Sequence, residues 1–198
     1  MNTETEPKLA PPGAGLPALE LLIARALFRV RRWTGDRESF TTKFQEERGR
    51  IRQLIDDKTA ARRVLIRRLP GLEDGSRYWS VWMTLDHLRI VHNSMRDVIR
   101  ALTSGVMPTG TASTAAVTPS LNVTGAVVAE YEKSCDELLV TVAAAHNLQT
   151  PLRYAHPWFG PLDAAVWHAL AATHIRIHRK QIERIVAGCQ PKVAESAR

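Results

Sequence analysis

The chain has 198 residues, 44% of them hydrophobic and 24% charged, a balance that excludes wholesale disorder, collagen-like repeats and low complexity. Its net charge of +7 is local: residues 25–68 hold 14 Lys and Arg against 6 Asp and Glu, and the remainder is close to neutral. No apolar run approaches the ~18–20 residues of a membrane span, because Arg25, Arg29 and Arg31 interrupt the best candidate. Glu4 and Glu6 stand where a secretory leader carries positive charge. Cys135 and Cys189 can form neither a disulfide framework nor a four-cysteine zinc site, so the expected location is cytoplasmic.

Residues 1–16 are polar and rich in Pro and Gly, and read as a disordered tail before a single domain over 17–190. From Pro17 to Trp33, Leu19, Leu22, Ile23, Ala26, Val30 and Trp33 recur on one helical face, with Pro17 at the start and Gly35 as the stop. A four-helix bundle has no internal need of this accessory helix (17–35), which is therefore expected to cap the bundle or to contribute to a homodimer. The bundle itself is expected over 39–188. Its first helix reads from Ser39 to Pro70, with Phe40, Phe44, Ile51, Leu54, Ile55, Leu65 and Leu69 in helical period. This helix carries much of the basic excess. No helix-turn-helix, zinc finger or aromatic RNA-binding pattern accompanies it, so a solvated face is favoured over nucleic-acid binding.

Residues 71–78 read as a turn, and Ser80 caps a third helix through Val81, Leu85, Leu88, Val91, Met95, Ile99 and Leu102. Residues 103–120 hold almost no large apolar side chain; so long a connection suits a crossover between helices that are not antiparallel neighbours. A fourth helix is expected over about 121–146, with Tyr131, Cys135, Leu138 and Val142 on its stripe. After a proline-bounded loop, Asp163 caps a last helix that Gly188 ends. The reading is all-α.

Seven histidines are the chemically richest feature. His174 and His178 lie four apart on the last helix and share a side. With Leu170 as origin and ~100° per residue, His174 falls near ~40°, central to the apolar stripe, and His178 near ~80°, at its edge. Spacing alone leaves metal ligation and a hydrogen-bonded core pair both open. A third ligand from another helix would give the pattern of an open metal site. The third helix offers His87 and His92, and the same count places His92 inside the stripe and His87 outside it, so periodicity slightly favours His92.

The stretch Trp79-Ser-Val-Trp-Met-Thr-Leu-Asp-His-Leu88 resembles the second bundle helix of the DinB-like superfamily, in which a Trp-Ser pair precedes a His-Leu pair whose histidine is a metal ligand. The ending HPWFGPLDAAVWHALAATHIRIHRKQIERI resembles that family's last helix, a His-x-x-x-His followed by Gln-Ile. The resemblance implies a bundle of up-down-down-up arrangement and the ligand set His87, His174 and His178. It also implies a divalent metal (zinc, nickel or iron by the preferences of imidazole) and a small-molecule substrate. Relatives imply two chemistries, transfer of a low-molecular-weight thiol to an electrophile and metal-dependent hydrolysis; a non-catalytic binding bundle is the third class. The accessory helix and the basic first helix depart from the family pattern.

Other candidates are weaker. His156, Trp158 and Phe159 would wall a pocket mouth or plug the bundle end. Cys135 reads as a core thiol. Glu130, Glu132, Glu137, Arg176 and Arg179 read as surface charges, and Asn122-Val-Thr124 carries no meaning for a cytoplasmic chain.

Overall fold

In the computed structural model, residues 7–190 are described. The long helices are α1 (Ala18–Thr34), α2 (Arg37–Leu54), α3 (Val81–Thr103), α4 (Val127–Ala144) and α5 (Ala164–Cys189). Two single-turn 3-10 segments occur at Asp74–Tyr78 and Ala115–Val117, and a two-stranded antiparallel hairpin pairs Tyr154–His156 with Gly160–Leu162. That hairpin is the only strand structure among the described residues; three-residue strands are too short to show a detectable alternation in a sequence. Among the described residues no helix is long and apolar enough to cross a membrane.

Side-chain pairs fix the helix directions. Arg89 meets Glu130, His92 meets Ser134 and Arg96 meets Glu137, so α3 and α4 run parallel. Thr41 meets His168 and Glu47 meets Arg179, so α2 and α5 run parallel. Arg48 reaches Asp136 while Arg52 reaches Glu132, so α2 and α4 are antiparallel. These directions give an up-down-down-up four-helix bundle. The parallel α3–α4 pair forces the chain back along the bundle, which explains residues 104–126 as a crossover.

Two helices are shorter than the sequence suggested. α2 stops at Leu54 rather than Pro70, because the Asp56 side chain accepts the Lys58 amide and the Thr59 hydroxyl and closes a turn. Beyond it the chain is extended, with Ile66 N–H donating to the Arg77 carbonyl and Arg77 Nε returning a bond to the Ile66 carbonyl. The cap of α2 is Asp36, with Ser39 as its reciprocal capping-box partner rather than the cap itself. α4 begins at Val127, and Leu121 is exposed in the crossover. Ser80 and Asp163 cap α3 and α5 as read, accepting the amides of Met83 and Val166. Gly188 does not stop α5; its missing side chain makes room for Val64, which a Cβ would meet at 2.5 Å.

Charges read as surface features hold helices together. Arg48 and Arg52 of α2 converge on Glu132, and Arg48 also takes Asp136. Arg179, nearly buried, pairs with buried Glu47 and with Glu183. Part of the basic excess of α2 is thus neutralised by the acids of α4.

Of the expected tail, residues 1–6 lie outside the described residues. Residues 7–16 are not helical, yet they are engaged: Ala10 and Gly13 donate backbone N–H groups to Asp74 and Glu73. The accessory helix α1 does not cap the bundle with its apolar face. It docks by the opposite side, through buried Phe28 against Phe159, Glu20 against Arg68 and the Gly71 amide, and Arg25 Nε donating to the Trp158 carbonyl. Leu19, Leu22, Ile23, Leu27, Val30 and Trp33 stay 51–79% exposed.

Candidate metal centre

α3 contributes His87 to the site and α5 contributes His174 and His178 one turn apart. Nε2 of His174 lies 3.2 Å from Nε2 of His87 and 3.1 Å from Nε2 of His178. The three residues form a group whose ligand atoms all lie within 4.8 Å of one another and could hold a metal ion. Three nitrogens at ~2.0–2.2 Å from one ion would be spaced ~2.8–3.6 Å apart for angles at the ion between a right angle and the tetrahedral value, so the two measured separations fit.

The outer nitrogens fix the tautomers. His87 Nδ1 lies 2.7 Å from the Val117 carbonyl, which only accepts, so Nδ1 carries the proton. Gln181 Nε2 donates to the Ser76 carbonyl at 2.8 Å, which turns Oε1 toward His178 Nδ1 at 2.7 Å and places the proton there too. Both rings therefore present Nε2 lone pairs to His174. Burial lowers the pKa of His87 to about 4. Burial, reinforced by the neighbouring imidazoles, holds His174 and His178 well below the ordinary value. Protonation is a costly way to relieve the crowding of lone pairs. One proton on His174 Nε2 can serve only one neighbour, and His174 Nδ1 is itself buried without a partner. A cation at the centre satisfies all three Nε2 atoms, so the donor set fits a metal. Trp79 shields the group, stacked on His178 with ring centroids 6.4 Å apart and tilted against His87 at 5.1 Å.

The histidine favoured by periodicity is elsewhere. His92 is fully buried between Phe44 and Tyr131, with Ser134 Oγ 3.4 Å and Cys135 Sγ 3.6 Å from Nδ1 and no partner at Nε2. Its pKa is pushed down to about 3 by burial. The stripe argument fails because the first two turns of α3 are buried nearly all round: Val81, Met83, Thr84, Leu85, Asp86, His87 and Leu88 are buried and Trp82 is half-buried. The crossover covers one flank, with the Ser120 amide donating to Asp86, and the segment after α2 covers another, with the Trp82 amide donating to the Ala60 carbonyl. Gln181 stands in the Gln-Ile pair of the family-like ending, whereas the Val117 carbonyl leaves no side-chain signal in the sequence.

The triad opens on a cavity of about 870 Å³ whose wall includes Tyr78, Trp79, Tyr154, His156, Trp158 and Trp167. His156 Nδ1 accepts the Trp158 amide at 3.1 Å, which leaves its proton on Nε2. Phe159 turns the other way, to hold α1 at 4.7 Å from Phe28. Cys135 is a core thiol with its pKa raised to about 12 by burial.

The DinB superfamily model matches residues 43–182, which include all of α3 and the three histidines His87, His174 and His178. The chain belongs to the DinB superfamily. A solved structure described as TT2238, a four-helix bundle protein, aligns with a TM-score of 0.55 at 21% identity, covering 74% of this chain and 98% of that one. This likeness supports the bundle alone. No curated protein matches the chain significantly.

Proposed function

We propose that this DinB-superfamily chain binds a divalent metal through His87, His174 and His178 and uses it to activate a low-molecular-weight thiol for transfer to an electrophilic small molecule. The observation that carries the reading is the convergence of three Nε2 atoms whose rings are oriented by the Val117 carbonyl and by Gln181. Outer partners of this kind set the tautomer of metal-binding histidines and raise their basicity. A bound divalent cation would supply Lewis acidity, bringing a thiol or water toward ionisation near neutral pH. Zinc, nickel and iron all suit imidazole ligands.

The protein's own groups do the rest. Trp79 and the aromatic wall exclude bulk water from the reacting end, and His156 presents an Nε2 proton to an oxygen of the substrate. A cavity of about 870 Å³ accommodates a thiol and a second organic molecule together, which favours transfer over hydrolysis. The exposed stripe of α1 supports a homodimer through that helix; Trp33→Glu should then lower the sedimentation coefficient, and an unchanged monomer in both forms would remove the dimer. The central test is metal content after purification, followed by mass-spectrometric detection of a thiol conjugate with a panel of electrophiles. Stoichiometric metal with thiol-dependent product supports the reading. Water-derived product without thiol would establish the hydrolase instead.

A further inference from the structure

The cavity is far longer than the histidine group needs. Met83, His87, Val91, Ser94, Val98 and Ala101 all line it, at the three- and four-residue steps of a single face of α3. From His87 to Ala101 that face runs 14 residues, about 21 Å along the helix axis. Two stretches outside the long helices, 7–12 and parts of 108–119, lie against this face and complete the walls. Their lining side chains are mostly small, proline and hydroxyl residues, with Leu9 and Val117 the larger apolar ones, and together they roof the channel.

The wall offers little charge to a ligand. Its charged side chains are Arg63, Glu73 and Asp97. Arg63 lies over the Tyr78 ring and donates to the Tyr78 carbonyl. Asp97 is paired with Arg96 and Arg100; Glu73 accepts the Gly13 amide at Oε2, while its Oε1 is buried without a partner and is the one acidic spot the wall leaves unpaired. The α3 face is otherwise apolar, with Met83, Ile90, Val91, Met95 and Val98, and its polar breaks are Ser94 and the ion-paired Asp97.

From this geometry we infer that the cleft takes an elongated, uncharged, largely apolar chain, laid along α3 from the histidine group toward Ala101 with its polar, reactive end at the histidines. The placement of the reactive end rests on the metal reading above; the binding of the chain does not. Ligand affinity then follows length: each added methylene removes more apolar surface from water, worth about fourfold in the dissociation constant, until the channel is full. Ser94 lies half-way along the face and is exposed, so an added ring there shortens the channel without disturbing the core.

The experiment is displacement of the neutral fluorophore Nile red from the full chain by straight-chain alcohols from hexanol to tetradecanol, with metal content and circular dichroism measured on every sample. Affinity should climb about fourfold per methylene. Ser94→Trp should leave hexanol within about twofold but weaken tetradecanol by more than about tenfold, the loss of at least two buried methylenes. Ala101→Trp should affect only the longest alcohols. Affinity independent of length, or equal weakening of all alcohols by Ser94→Trp, would overturn the inference. So would binding abolished by Leu22→Glu on α1 and indifferent to Ser94→Trp, which would place the probe on the exposed stripe of that helix. A length dependence intact in protein that never takes up metal would leave the cleft standing and remove the metal reading. Loss of length dependence in metal-loaded protein would do the reverse.

Discussion

His87 and His92 sit five residues apart on α3, both buried, both imidazoles with pKa values driven far down by burial, yet they do opposite things. His87 is anchored at Nδ1 by a carbonyl and points Nε2 at two other histidines. His92 is surrounded by Phe44, Tyr131, Ser134 and Cys135, and its Nε2 meets no partner. Burial alone does not make a site. What separates the two is whether nitrogen lone pairs from different helices converge and whether the far side of each ring is held.

The largest expected effect follows from that convergence. His174→Ala removes the nitrogen that contacts both others, and bound metal should fall to about a tenth or less of the wild-type content by elemental analysis, because two imidazoles do not define the site. Loss of the anchor should matter less but still measurably. Gln181→Leu keeps the volume, frees His178 Nδ1 and leaves the Ser76 carbonyl unpaired, so metal affinity by competition with a chelator should drop about 10- to 100-fold. Equal affinity in this variant would show that ring orientation is set by packing instead.

His92→Ala is the contrasting case. Metal content should be unchanged, while chemical denaturation should show a loss of about 1–3 kcal/mol from the vacated core volume. Metal loss in this variant, with the fold intact, would reverse the assignment of the two histidines.

Acid supplies a difference of the same order as that core loss, and a more diagnostic one. The folded pKa of His92, about 3, lies below the ordinary unfolded value near 6.5, so the unfolded chain binds the proton first. Its contribution is therefore complete above about pH 6.5 and is lost as the pH falls toward 3. Between pH 7 and pH 5 wild-type protein should lose about 2 kcal/mol more than His92→Phe, as read from paired denaturation curves. Parallel losses would mean that His92 is hydrated and titrates normally in the fold.

α1 teaches the same lesson at the scale of a helix. Its apolar stripe was plain in the sequence, but the stripe faces away from the bundle, and the helix is held by Phe28, Glu20 and Arg25. Periodicity identifies an amphipathic helix; it does not say which side the rest of the molecule will meet. The long first bundle helix failed for a related reason. Leu65 and Leu69 kept the helical period past Leu54, but a local bond from Asp56 to the following turn outweighed that pattern.

The sequence by itself determined the all-α class, four of the helix starts to within a few residues, the crossover between α3 and α4, and the His174–His178 pair, because helical period, caps and i,i+4 spacing are local properties of the chain. The choice of His87 over His92 came from resemblance to a family motif, since periodicity pointed the other way. Only the tertiary structure decided which faces are buried, that Glu132 and Arg179 are structural, and that a carbonyl from the crossover anchors His87. Those are contacts between residues 30 to more than 130 positions apart, and no local pattern encodes which distant segment will cover a given turn of helix.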